Sequence, residues 1–173
     1  MAKIQSNYRC VGLESIEIGD VGGTGGILGT TLSTLKNIVA DSAFIIFEQP
    51  GVTKHYNEDH DYADVVVNTT GARFIEFAIR DMHPNIFELA FGGTTGGTTW
   101  YAHYDTALVV KEKSIIAHSK DYGGDKMHFY LTRVAIRGNA DLQMSKTKTG
   151  MIGFVGEILL PETTTPPIRA SIV

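Results

Sequence analysis

The stretch Arg73 to Gly97, RFIEFAIRDMHPNIFELAFGGTTGG, decides how the chain is read. Its first third alternates. Ile75, Phe77 and Ile79 fall on one side of an extended segment, with Phe74, Glu76, Ala78 and Arg80 on the other, so one face is buried and the other partly wet. The period then changes. Asp81 can accept from the orphan amides that open a helix, and Pro84 suits a first turn, where its missing N–H has no intrahelical partner to lose. Met82, Ile86, Leu89 and Ala90 recur at helical spacing, and Phe87 and Phe91 widen the stripe. Gly92 and Gly93 stop the helix, because glycine accepts the left-handed conformation of a closing turn. Asp81, Pro84, Ile86, Leu89 and Gly92 are thus the expected cap and core positions of the one strong helix signal. A lone helix among strand-like segments has to bury its apolar face against a sheet.

Working outward, the flanks read as strands. Upstream, Tyr8 to Ile18 alternates, with a slip between Leu13 and Ile16 that suggests a bulge. Gly19 to Thr31 holds six glycines and reads as a long loop or arm. Thr34 to Phe47 fits two short strands and a tight turn. Gln49 to Asp64 is polar and charged, with Tyr56 and Tyr62 interleaved, and reads as an exposed loop or projecting hairpin; Val65 to Val67 resumes strand character. Downstream, Thr98 to Tyr104, Thr106 to Val110, Ser114 to His118, Met127 to Arg137, Ala140 to Thr147 and Met151 to Leu160 are β-rich, the last two forming a hairpin around Thr149-Gly150. Pro161, Pro166 and Pro167 then end ordered pairing, leaving 161–173 as a tail that docks elsewhere. Roughly eight to ten strands follow one another without alternating helices. That pattern predicts a mainly β fold: an antiparallel sandwich or barrel with one helix on its flank.

The chain has 173 residues, enough for one domain with a real core, and 43% apolar and 20% charged residues, ordinary for a globular protein. The formal net charge of −4 is uneven: 12 acids and 6 bases in the first hundred residues, 7 and 9 in the rest. One cysteine, Cys10, excludes an internal disulfide and reads as a small core residue. MAKIQSNYRC has no apolar run of the kind a signal peptide needs, and no stretch approaches the roughly 20 apolar residues of a membrane span. Asn68-Thr69-Thr70 matches a glycosylation sequon, which means little without a secretion signal.

Chemistry-bearing patterns are sparse. DVGGTGGILG, from Asp20 to Gly29, misses the dinucleotide fingerprint: Leu28 stands where the third glycine belongs, a poor helix follows, and no Gly-Lys-Ser/Thr is present. His55 and His60 lie among carboxylates, but their spacing fits no closed zinc site, and the calcium-loop glycine is missing after Asp59. His83 belongs to the helix start. His103-x-Asp105 would orient an imidazole, yet no nucleophile elbow accompanies it. Lys111 to Lys148 carries eight bases against four acids, interrupted by Glu112, Asp121, Asp125 and Asp141. Its economical use is to meet acidic surface on another copy rather than nucleic acid. No catalytic residue, metal ligand or cofactor site is expected.

A sandwich of this length with one mid-chain helix resembles the tail tube (major tail) protein family of tailed bacteriophages. The residues carrying the likeness are FIEFAIRDMHPNIFELAFGG (74–93), the charged HYNEDHDYAD (55–64) and the closing LQMSKTKTGMIGFVGEILLP (142–161); it covers most of the chain from about Val52, and the glycine stretch at 19–31 matches least. The resemblance implies a single domain over 1–173 whose copies form hexameric rings, stacked into a tube through which viral DNA passes. It implies that the loop at 49–64 contacts the next ring through Lys54, His55, Tyr56, Glu58, Asp59, Asp61 and Asp64. The lumen would be acidic, since a wall that attracted phosphates would hold DNA by counterion release. Implied partners are the chain itself and other tail proteins (tape measure, terminator, baseplate or tip), with DNA only in transit, no membrane, and a place in the virion tail after assembly in the host cytoplasm. The inner tube of a contractile injection or secretion system shares the fold and is the related alternative. An alternative of another class is a carbohydrate-binding sandwich, with Trp100, Tyr101 and Tyr104 as stacking aromatics.

Overall fold

The structure, a computed structural model, describes residues 11–23, 25–48, 51–56, 63–69, 71–102, 110–121, 123–141 and 150–173, with only the backbone described at 11, 51–56, 63–69 and 141. Among them are twelve strands and one helix: β1 (Val11–Asp20), β2 (Leu32–Leu35), β3 (Phe44–Phe47), β4 (Gly51–Tyr56), β5 (Ala63–Thr69), β6 (Arg73–Ile79), α1 (Pro84–Phe91), β7 (Thr94–Gly96), β8 (Thr99–Tyr101), β9 (Lys111–Lys120), β10 (Met127–Asp141), β11 (Met151–Ile158) and β12 (Ile168–Ile172). The expected mainly β fold with a flanking helix is what forms. Seven strands run in the order β2-β1-β9-β10-β11-β6-β3, all antiparallel, and β12 adds to β10. β4–β5 and β7–β8 are separate two-stranded ribbons.

β10 is the hub. One edge pairs with β9 along both halves. The other edge is divided: Met127–Leu131 takes β12, and Val134–Asp141 takes β11. The handover falls at Thr132 and Arg133, where the register against β9 slips by one residue, a bulge. Thr132 N–H donates to the Pro167 carbonyl (3.0 Å) and its hydroxyl to the Pro166 carbonyl (2.9 Å), while Leu159 N–H reaches the Arg133 carbonyl (2.9 Å). Because of the slip, Leu131 and Val134, three residues apart, both point inward and both are fully buried.

The sheet curls until its two ends share one segment. Leu32–Leu35 pairs with β1. Immediately beyond it, Val39 N–H donates to the Ala78 carbonyl (2.8 Å) and Arg80 N–H to the Asn37 carbonyl (3.0 Å), bridging Ile38 to Ile79 of β6. Inside lie Ile16, Ile18, Leu35, Ile75, Phe77, Ile79, Ile115, Leu131, Val134, Ile136, Ile152 and Phe154. The registered pair Phe77 and Phe154 stacks at 5.1 Å between ring centroids. Each such side chain contributes roughly 1.5–3 kcal/mol on leaving water.

The helix keeps its predicted ends with one correction. Pro84 opens it and Gly92, at φ 74°, closes it. The cap position, however, is His83, not Asp81: His83 has an extended backbone and its Nδ1 accepts from Asn85 N–H at 3.3 Å. Asp81 lies two residues earlier and accepts from His83 N–H (3.0 Å), so it orders the turn that presents the cap. The physical reason is Pro84, which fixes the first helical residue and leaves the adjacent side chain to reach the free amides. Ala90 is buried, and Ile86 and Leu89 pack against the core. Ala90 sits against Gly138 of β10, where a Cβ would fall 2.3 Å from the Ala90 Cβ. Gly138 therefore does not break the strand, as the sequence suggested between Arg137 and Ala140; it makes room for the helix within a 15-residue strand.

Of the two readings of the glycine stretch, loop or arm, the described residues form a folded loop: Gly22 and Ile27 bridge, Gly29 N–H donates to the buried Ser114 hydroxyl (2.9 Å), and Glu162 N–H reaches the Gly25 carbonyl (3.4 Å). Two other expectations change. The segment from Thr34 to Phe47 is no hairpin, since β2 and β3 stand at opposite ends of the sheet order. The residues Ile168–Ile172, read as a tail, form β12.

Candidate assembly surface

β3 reads FIIF, a short apolar strand that belongs in a sheet. It pairs with β6 on one edge and ends the sheet order, so its far edge has no strand partner among the described residues. Phe44 and Phe47 stay 53% and 50% exposed. A second edge faces it. β1 pairs with β2 only through Ile16–Gly19, so Val11–Ser15 lacks a partner on that side among the described residues. Between the two edges lies a groove of about 710 Å³, lined by Leu13, Ile38, Ala43, Phe44, Phe47 and Phe129, with Glu14, Asp41 and Lys120 at its margin. Unpaired edges beside exposed aromatics are the places where soluble β proteins meet other chains.

The charged segment at 49–64 is partly a hairpin: β4 and β5 pair antiparallel, with Lys54 opposite Val66, His55 opposite Val65 and Tyr56 opposite Ala63. Lys54, His55 and Tyr56 thus stand on β4 and Asp64 on β5. Glu58, Asp59, His60 and Asp61 lie outside the described residues, as do Cys10, His103, Tyr104 and Asp105.

Four of the eight bases in the stretch from Lys111 to Lys148 are matched within the chain. Lys111 pairs with Glu88 (3.3 Å), Lys113 with Asp20, and Lys126 with Glu14 (2.6 Å). Arg133 holds Glu112 through two nitrogens (2.8 and 2.9 Å) and Glu162 through a third contact (3.2 Å). The Lys113 ammonium holds the Asp20 carboxyl below the usual range, and the Thr95 hydroxyl, then Lys111, do the same for Glu88. These bases tie strands together, which weakens the reading of the stretch as a basic face for another copy's acids.

Strand pairing also assembles a group that the sequence scattered. His118 of β9 and His128 of β10 are register partners, their rings edge-to-face at 4.3 Å. Glu17 of β1 stands 3.6 Å from His118 Nε2, too far for a hydrogen bond, and that buried nitrogen has no partner among the described residues. Tyr130 lies beyond His128, with Arg169 of β12 stacked 4.2 Å over its ring. Burial, then His118 and Lys126, lower the His128 pKa, with Glu17 and Glu14 opposing. The two imidazoles are ten residues apart in sequence; only the β9–β10 register, which no local pattern encodes, brings them together.

Of the aromatics proposed for sugar stacking, Trp100 is committed to the helix: its ring stacks on Phe87 at 5.4 Å and its N–H donates to the Gly92 carbonyl (2.8 Å). Tyr101 is exposed. Among the described residues no three His, Cys, Asp or Glu side chains are placed to hold a metal, and no helix is long and apolar enough to cross a membrane. No protein-family model and no curated protein matches the chain.

Proposed function

We propose that this chain is a structural tail tube protein, one that assembles with copies of itself into hexameric rings stacked as a conduit for DNA. The observation that carries the reading is one side of the barrel where, among the described residues, the edges of β1 and β3 have no strand partner and flank an apolar groove with Phe44 and Phe47 half exposed. A sheet edge of this kind is satisfied by another chain's backbone, and repetition of one heterologous contact closes a ring or propagates a tube. The β4–β5 ribbon supports the second contact, between rings, with Lys54, His55, Tyr56 and Asp64 on its strands. On this reading the chain needs no cofactor, its partners are itself and the other tail proteins, and its place is the virion tail.

Negative-stain electron microscopy and sedimentation of the purified protein test this. Rings or tubes are the expected result. A species that stays monomeric at every concentration and salt refutes it. Charge reversal across Glu58, Asp59, Asp61 and Asp64 is expected to leave rings intact and abolish their stacking; unfolding of the subunit would instead make that segment part of the core.

A further inference from the structure

Four adjacent strands, β1, β9, β10 and β12, carry a polar row on one face of the sheet. Glu17 of β1 stands 3.6 Å from Nε2 of His118 on β9, and the His118 ring meets that of His128 on β10 edge-to-face at 4.3 Å. Ser171 of β12 is the register partner of His128. The other titratable and charged groups around the row are Glu14, engaged by Lys126 at 2.6 Å, Asp121 near Lys126, Lys120 at the end of β9, and Tyr130 with Arg169 stacked 4.2 Å over its ring.

The two rings have unequal partners. His118 Nε2 is buried and has no hydrogen-bond partner among the described residues, so a bare lone pair there would face the Glu17 carboxylate. An N–H suits that position better, and an imidazolium better still: closing the 3.6 Å gap by roughly 0.8 Å makes a charge-assisted hydrogen bond. His128 has a different neighbour. Its Nδ1 lies 3.5 Å from the Tyr130 hydroxyl, which can donate to a neutral ring nitrogen and not to a charged one. Burial, then the His118 ring and Lys126, oppose a positive charge on His128. Imidazoles in contact take up their protons in two separate steps, because the first charge repels the second.

The row crosses β1 where that strand is held least. His118 is the register partner of Ser15; from Ser15 back to Val11, β1 has no strand on its β2 side among the described residues, and its register against β9 slips twice. A bond from Glu17 to His118 therefore secures the part of β1 that leads into the segment bordering the groove.

We propose that Glu17, His118 and His128 form a one-proton latch: a single proton held at His118 clamps β1 to β9 through Glu17 and bars a second from His128, and the second, once acid forces it on, parts β9 from β10. The latch works within one chain, whatever that chain assembles into.

NMR of the ring nitrogens in the histidine-labelled full chain, in solution or in the solid for assembled material, tests it over a titration from about pH 8 to about pH 5. His118→Gln and His128→Gln variants assign the two rings. His118 is expected to show both nitrogens protonated while His128 keeps a neutral signature, with the two midpoints about one pH unit or more apart. Rings that titrate together, or a His128 that charges first, overturn the latch. Glu17→Gln keeps the shape and removes the charge; where the pair holds one proton, it is expected to lower the share residing on His118 by about a third or more. An unchanged share overturns the role of Glu17. Amide exchange, compared between variant and parent at one pH, reads the clamp itself. With one proton bound, the Leu13–Ile18 amides of Glu17→Gln are expected to exchange about threefold faster or more, and at about pH 8 at the parent's rate. Equal rates at both pH values, or faster exchange at both, overturn the inference.

Discussion

Gly138→Ala is the sharpest probe of how the helix is seated. The added Cβ would fall 2.3 Å from the Ala90 Cβ, 2.7 Å from its Cα and 3.0 Å from its carbonyl oxygen. Restoring ordinary contact requires the helix to withdraw by about 1 Å, and neither backbone can yield as a flexible side chain would. Overpacking of this kind costs about 1–3 kcal/mol. Removing a strand glycine returns roughly 0.5–1 kcal/mol of chain entropy, so the net loss should be about 1–2 kcal/mol. Ala90→Gly alone costs about 1 kcal/mol in helix propensity, with a further ~0.8 kcal/mol for the buried methyl. In the double variant the methyl moves from helix to strand and fills the same space, so the losses should fall short of additive by about 1 kcal/mol or more. Urea unfolding at constant m-value measures all three. Trp100, stacked on Phe87 of the helix, reports withdrawal as a shifted native fluorescence baseline. A Gly138→Ala protein as stable as the parent, with unchanged native fluorescence, would refute the seating of α1 on β10.

Three further outcomes follow from the same geometry. Ser114→Ala removes the acceptor of Gly29 N–H and the donor to the Thr132 carbonyl at a fully buried site, and should cost about 1–3 kcal/mol per orphaned group in urea unfolding. Phe154→Ala deletes half of the Phe77 stack at 1% exposure and should cost about 3–5 kcal/mol. His128 has its folded-state pKa lowered from 6.5, so the unfolded chain takes up the proton first. Its stabilisation is whole above about pH 6.5 and is lost progressively as pH falls from there toward the folded value. Thermal unfolding as a function of pH should therefore show a decline in Tm on acidification that His128→Phe flattens; an unchanged slope would show that the histidine pair is not the group responsible.

What could be read in the sequence was whatever a few neighbouring residues decide. The strand at Ile75, Phe77 and Ile79 followed from alternation, and the helix ends from Pro84 and Gly92. The slip near Leu13 marked a real break in register against β9. What escaped depended on partners distant in the chain. Gly138 looks like a strand terminator until Ala90 is placed upon it. Ile168–Ile172 looks like a tail because its pairing depends on the free first half of β10, some 40 residues away. The cap fell to His83, a residue type that ranks low at such positions, because Asp81 was two positions too early for the start that Pro84 imposes. At the assembly surface, the charged segment and the exposed β3 sequence were visible; the groove was not, because it exists only where β2 stops covering β1.

The division of β10 between two neighbours has a consequence for biosynthesis. Apart from the short Ile38–Ile79 bridge, β6 and β3 attach to the rest of the sheet through β11, and β1 attaches to β10 through β9, so the strands made first have their main partners made last. A nascent chain that has emerged only as far as residue 91 owns only fragments of pairing, with Ile16, Ile75 and Phe77 still waiting for Leu131, Val134 and Phe154. The barrel therefore cannot close until nearly the whole polypeptide has left the ribosome, and its folding should be a late, post-translational and comparatively slow event.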